Sequence, residues 1–180
     1  MEVYKITKGD LTILNVDDLD INNDLSDQIY LKDIVSKLFS IGDQVYFFFR
    51  NEEYFREKDE RKSIRAEIFD YFDRFGKLVF LTKLDEKRFD AIGMIDFDLN
   101  TSDFILKLWK YFSSCDFFKP INDLTFDEYQ DYLECNGVYD EDGLKMLWNK
   151  LCNFICIKGI GGDYLILSYN SLELSLEDYV

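Results

Sequence analysis

Asp96 and Asp98 stand two residues apart at the end of the apolar run AIGMIDFD (Ala91 to Asp98), and in an extended chain both carboxylates point to one side. A pair of that kind can hold a divalent cation over a phosphate, as metal-dependent nucleases and sugar transferases require. Two-residue motifs are common by chance, and a phosphate substrate is poorly matched to a chain of net charge −15. A solvated strand end is therefore favoured over a metal enzyme built on Asp96 and Asp98.

The densest acidic stretch is DDLDINNDLSD (Asp17 to Asp27), with five carboxylates and two amides. Taken as a calcium loop, it places Asp18, Asp20, Asn22, Asp24 and Ser26 at ligand positions 1, 3, 5, 7 and 9. The fit fails at Asn23, where the sharp turn needs glycine, and at Ile29, where a bidentate glutamate is needed. A solvated turn or an acidic contact surface fits this stretch better than a cation site does.

KGIGGD (Lys158 to Asp163) could cradle a phosphate on its backbone N–H groups. The apolar run DYLILSY follows it, however, where a nucleotide loop requires a helix, so the glycines predict a hairpin turn. In REKDERKSIR (Arg56 to Arg65) bases alternate with acids at helical ion-pair spacing, which describes solvated surface. Glu60 and Lys62 there have a metal-nuclease spacing but lack a partner aspartate on a neighbouring strand.

Other chemistries fall to composition. The chain has no histidine, which removes Ser-His-Asp triads, Cys/His nucleophiles and Cys₂His₂ zinc. Its four cysteines, Cys115, Cys135, Cys152 and Cys156, form no CxxC pair and are expected to be reduced thiols packed as small hydrophobes. No cofactor or metal is expected. The N-terminal residues do not read as a secretory leader and no 18-residue apolar stretch is present, so a cytosolic location away from membrane is expected.

The elements that would position these residues follow from periodicity. Val3–Ile6 and Leu11–Val16 predict a hairpin around Lys8-Gly9-Asp10. Tyr30, Ile34, Val35, Leu38 and Phe39 recur at helical spacing up to Gly42. QVYFFFR (Gln44 to Arg50) is apolar without alternation, which predicts a strand covered on both faces. A helix carrying Ile64, Ile68, Tyr71, Phe72 and Phe75 ends at Gly76, and KLVFLTKL and AIGMIDFD follow as strands. Ile105, Leu108, Trp109 and Phe112 mark the next helix.

Thr125-Phe126-Asp127-Glu128 is a capping box, with Leu124 and Tyr129 placed as its hydrophobic staple, and that helix stops at Asn136-Gly137. Leu144, Leu147, Trp148, Leu151 and Ile155 predict one more helix before the final turn and strand. The single proline, Pro120, and the absence of any Ser/Gly-rich tract argue against a linker. The expectation is an α+β fold: one mixed domain over 1–180, with helices packed on a central β-sheet.

Charge then points to a partner. The acidic excess sits at the two ends, since residues 116–180 hold 13 acids against 4 bases while residues 56–115 are balanced at 12 and 12. Such a field repels nucleic acid and anionic lipid and speeds encounter with a basic protein. Tyrosines set among carboxylates in FDEYQDYLE and VYDED combine an amphipathic anchor with charge, although helix stabilisation accounts for each of them equally well. The candidate partner-binding residues are Asp127, Glu128, Tyr129, Asp131, Tyr132, Glu134, Tyr139, Asp140, Glu141 and Asp142, with Asp17 to Asp27 as a second candidate surface.

In this character the chain resembles bacterial immunity proteins, which protect a cell from toxins delivered by contact-dependent growth inhibition or by secretion systems. EYQDYLECNG (Glu128 to Gly137) and GIGGDYLILSY (Gly159 to Tyr169) resemble fragments of the SMI1/KNR4-like immunity superfamily and cover about an eighth of the chain. The resemblance implies a non-enzymatic inhibitor that binds a basic toxin, such as a nuclease, and occludes its active site or substrate cleft. A phage-type nucleic-acid mimic acting against restriction or CRISPR machinery is the alternative; it would want a regular track of carboxylates, whereas here they fall in blocks.

Overall fold

In a computed structural model, the described residues are 1–9, 11–52, 59–85, 88–121, 124–136, 152–158 and 164–170. The chain runs β1 (Glu2–Lys8), β2 (Leu11–Asp17), α1 (Leu25–Leu38), β3 (Gln44–Glu52), α2 (Asp59–Phe75), β4 (Gly76–Lys83), β5 (Arg88–Asp96), α3 (Thr101–Tyr111), β6 (Ser114–Pro120), α4 (Phe126–Asn136), β7 (Cys152–Lys158) and β8 (Leu165–Asn170). The strands form one eight-stranded sheet in the order β1-β2-β8-β7-β6-β3-β5-β4. Every neighbouring pair is antiparallel. The architecture is the expected α+β arrangement of helices on a central sheet.

Both faces of the middle strands of that sheet are covered. Val45, Phe47 and Phe49 of β3 point into a large core with Leu31, Ile34, Ile68, Phe72, Phe104 and Trp109, which come from α1, α2 and α3. Tyr46 and Phe48 point the other way, into a smaller cluster with Phe126, Tyr129 and Leu133 of α4. Period-two alternation explains why an unbroken apolar run occupies the middle of the sheet: each face takes every second residue. The phenylalanines are spent mainly here, as in the Phe49–Phe112 stack at 4.5 Å and the Phe47–Phe72 edge contact at 5.8 Å.

Two glycines allow close approach. Gly93 of β5 leaves its Cβ space to the Phe72 ring, whose nearest atom would lie 2.4 Å from an added methyl group. Gly76 turns the end of α2 straight into β4, where an added Cβ would meet the Met94 carbonyl oxygen at 1.9 Å. The predicted stop of α2 at Gly76 is thus produced by a strand pairing against β5.

Two elements depart from the sequence expectation. Ile155 lies in a strand, β7, and not in the last predicted helix; Leu144, Leu147, Trp148 and Leu151 of that prediction lie outside the described residues. A four-residue apolar spacing satisfies both a helix and an alternating strand, so Leu151 and Ile155 did not discriminate. Cys156 is consequently a sheet residue, buried beside Cys115 of β6, and both thiols are free. The second departure is β6 itself: SCDFFKP forms a strand, although as a short aromatic run following α3 closely it predicts no element of its own.

Candidate partner-binding surface

Helix α4 is placed by its own N-terminus. The Thr125 N–H and hydroxyl both donate to Glu128 Oε2, at 2.9 and 2.7 Å, and the Glu128 N–H donates back to Thr125 Oγ1 at 3.3 Å. These bonds close the predicted capping box and hold the Glu128 carboxyl below its ordinary range. Leu124 and Tyr129 join the same cluster as the predicted staple.

The inner side of α4 is then set by Phe126, Tyr129 and Leu133, all buried. Tyr129 is 1 % exposed, with its ring 5.4 Å from Tyr46 and 5.1 Å from Phe118. That corrects the sequence expectation: Tyr129 anchors its own helix to the sheet and does not offer a ring to a partner. Tyr132 is half-buried against the same cluster, and burial raises its phenol. Beneath the helix, Tyr46 donates to the Leu124 carbonyl at 2.9 Å; burial first, then Glu128 and Asp127, push its phenol to about 12.

The outer side carries the charge. Asp127, Glu128, Asp131 and Glu134 are all exposed. Asp127, Asp131 and Glu134 follow at i, i+4 and i+7, so they line one stripe along the helix. Lys77 of β4 approaches Asp127 at 3.7 Å, and Gln130 donates to Glu134 at 2.8 Å. Glu128 is committed to the cap, which leaves Asp127, Asp131 and Glu134 as the displayed carboxylates. Tyr139, Asp140, Glu141 and Asp142 lie outside the described residues.

The second acidic stretch has a different fate. Leu19 and Ile21 are buried in the main core and pin the turn between β2 and α1. Around them, Asp20 Oδ1 accepts from the Asn23 N–H and side-chain amide, both at 3.1 Å. Asp24 caps α1 by accepting from the Ser26 and Asp27 N–H groups. Asp27 is 8 % exposed and accepts the Asp20 N–H at 2.8 Å. Asp18 takes φ +58, a left-handed conformation that aspartate tolerates better than most residues. The carboxylates that would have been calcium ligands are used to build a turn and a helix cap.

The Asp96/Asp98 pair is separated by the end of β5. Asp98 lies beyond the strand, and its Oδ1 accepts from the Asn100 N–H at 2.8 Å and the Thr101 hydroxyl at 2.9 Å, which starts α3. Among the described residues no cluster of three or more carboxylates or thiols is disposed to hold a metal ion. Arg61, from the ExK-like triplet, donates to the Tyr111 carbonyl at the end of α3 and lies 5.2 Å from that residue's ring. The glycines of KGIGGD fall outside the described residues, but the strands on either side, β7 and β8, pair antiparallel as a hairpin requires.

One ionisable group was not anticipated. Asp116 of β6 is 8 % exposed and accepts the Lys158 N–H at 3.2 Å; burial raises its carboxyl to about 7. The Lys158 ammonium reaches the other way, donating to the Trp109 carbonyl at 2.5 Å and to the Phe112 carbonyl, so it neutralises the C-terminal end of α3. Both residues sit on strands that were not predicted, and a lone Asp or Lys in sequence carries no sign of burial.

Compared with family profiles, curated proteins and solved structures, the chain gives no match. Among the described residues no helix is long and apolar enough to cross a membrane.

Proposed function

We propose that the protein is a stoichiometric inhibitor of immunity type, which binds a basic toxin such as a nuclease in the cytosol and blocks its active site or substrate cleft. The observation that carries this reading is the exposed carboxylate stripe Asp127, Asp131 and Glu134 on a helix whose opposite side is locked into the sheet. A rigid helix presents charge without the ordering cost of a loop, and the overall −15 adds long-range attraction to a cationic cleft. The stripe spans seven residue steps, about 10 Å at the helical rise. That length suits a compact contact and is short for a mimic of a nucleic-acid track.

The test is capture from a lysate of the source organism with the tagged protein, followed by association kinetics with whatever basic protein is retained through a high-salt wash. The variant Asp127→Lys/Asp131→Lys/Glu134→Lys is expected to lower the association rate at least tenfold at low salt, with a much smaller change at high salt. Capture of no basic protein, or an association rate indifferent to the three reversals, overturns the proposal.

A further inference from the structure

The two edges of the sheet are built differently. At one end β4 is broken by a register shift between Phe80 and Thr82, packs against α2, and lays Lys83 over the Phe80 ring at 4.7 Å. A bulge and a helix packed on the strand are common protections of an exposed edge. Among the described residues the other end is β1, which pairs with β2 through seven consecutive register positions without a shift and contains no proline. Its outward side chains are bare: Tyr4 is 50 % and Ile6 63 % exposed.

The sequence of this open edge, EVYKITK, is complementary to itself when turned antiparallel about Lys5. Glu2 then falls opposite Lys8 of the second copy, Tyr4 opposite Ile6 of the second copy, and Val3 opposite Thr7 of the second copy. The pairs occur twice by symmetry. Opposite charges and aromatic–β-branched pairs are the cross-strand combinations that favour a sheet. Shifting the register by two residues in either direction loses the Glu2–Lys8 match and shortens the overlap.

Backbone geometry selects the same register. Lys8 and Leu11 close a two-residue turn, with Gly9 at φ +63, which makes them a hydrogen-bonded pair. Thr7 and Thr12 are the next, non-bonded pair, and their hydroxyls meet at 3.2 Å. Alternation along β1 therefore turns the N–H and C=O groups of Val3, Lys5 and Thr7 to the open edge. Pairing about Lys5 joins these groups to those of the second copy in about six backbone hydrogen bonds. The one like-charge contact, Lys5 on Lys5 of the second copy, falls at a wide pair, with Cα atoms about 5.5 Å apart.

We infer that β1 is a self-association edge, through which two copies join their sheets antiparallel about a two-fold axis at Lys5. Net charge opposes the pairing over long range, so it strengthens as salt screens that repulsion. The occupant is a second copy because the register matches this strand to itself in both charge and shape.

Sedimentation or light scattering of the full chain across concentration, at about 0.05 and 0.5 M salt, reads the association directly. A dimer favoured by salt is expected. Lys5→Pro removes an outward N–H without touching the β1–β2 ladder, so it should give a monomer with unchanged circular dichroism. Lys8→Glu should weaken the dimer about tenfold, and the double exchange Glu2→Lys/Lys8→Glu should restore it. A wild-type chain that stays monomeric at every concentration and salt, or a dimer indifferent to Lys5→Pro, overturns the inference. So does a double exchange that dissociates no less readily than the single one. Monomeric wild type whose toxin capture is lost in Lys5→Pro would also overturn it, by assigning the edge to a foreign strand.

Discussion

Asp17 to Asp27 and helix α4 are nearly alike in acidic content, with five and four carboxylates, and opposite in use. In the first, Asp20, Asp24 and Asp27 each accept backbone N–H groups within the same turn, and two buried aliphatic residues hold the turn against the core. In the second, only Glu128 is consumed by the backbone, while Asp127, Asp131 and Glu134 face solvent from a helix already fixed by Phe126, Tyr129 and Leu133. A count of carboxylates does not measure charge available to a partner; what matters is which N–H groups already hold them.

The largest effect bearing on this contrast concerns Asp116, a carboxylate consumed completely. Its folded-state pKa lies near 7 against an ordinary 3.8, so the folded protein keeps a proton that the unfolded chain releases. Stability from this group is full at low pH and is lost as pH rises between about 4 and 7. At about 1.4 kcal/mol per pKa unit the change is of order 4 kcal/mol. Asp116→Asn keeps an acceptor for the Lys158 N–H, and its stability relative to wild type should rise across that window and level off above it. Urea unfolding at a series of pH values would check this, and a difference constant with pH would sink it.

Next in size is Asp27→Ala, which leaves the part-buried Asp20 N–H without its acceptor. It should cost about 1–3 kcal/mol in urea unfolding at neutral pH. A value near zero would mean that the turn before α1 does not depend on its carboxylate. Smallest is the pair Asp131→Ala and Glu134→Ala on α4. Each should stay within about 0.5 kcal/mol of wild type. A loss like that of Asp27→Ala would erase the distinction between built-in and displayed charge.

Much of this was readable from pattern. The capping box at Thr125, the hairpin at Gly9 and the doubly covered β3 rest on local rules: reciprocal hydrogen bonds, a two-residue turn and an apolar run too continuous for a half-exposed strand. The sites were less legible. Tyr129 read as a partner anchor because its neighbours are acidic, and a helix stripe does not reveal which tyrosine faces a sheet. Ile155 read as helical because apolar residues four apart fit both periods, and only the pairing of β7 with β6 and β8 separates them. Asp116 and Lys158 lie far apart in sequence and meet only because β6 and β7 run side by side.

The open edge of β1 shows the same division in one strand. Its alternation and its self-complementary charges are written in EVYKITK and need no tertiary information. That β1 stands at the end of the sheet depends on β8, which returns from late in the chain to pair with β2 and leaves β1 with a single neighbour among the described strands. Local hydrogen bonding and side-chain period decide which elements form. Long-range strand pairing decides which of their groups are used up inside and which remain for another molecule.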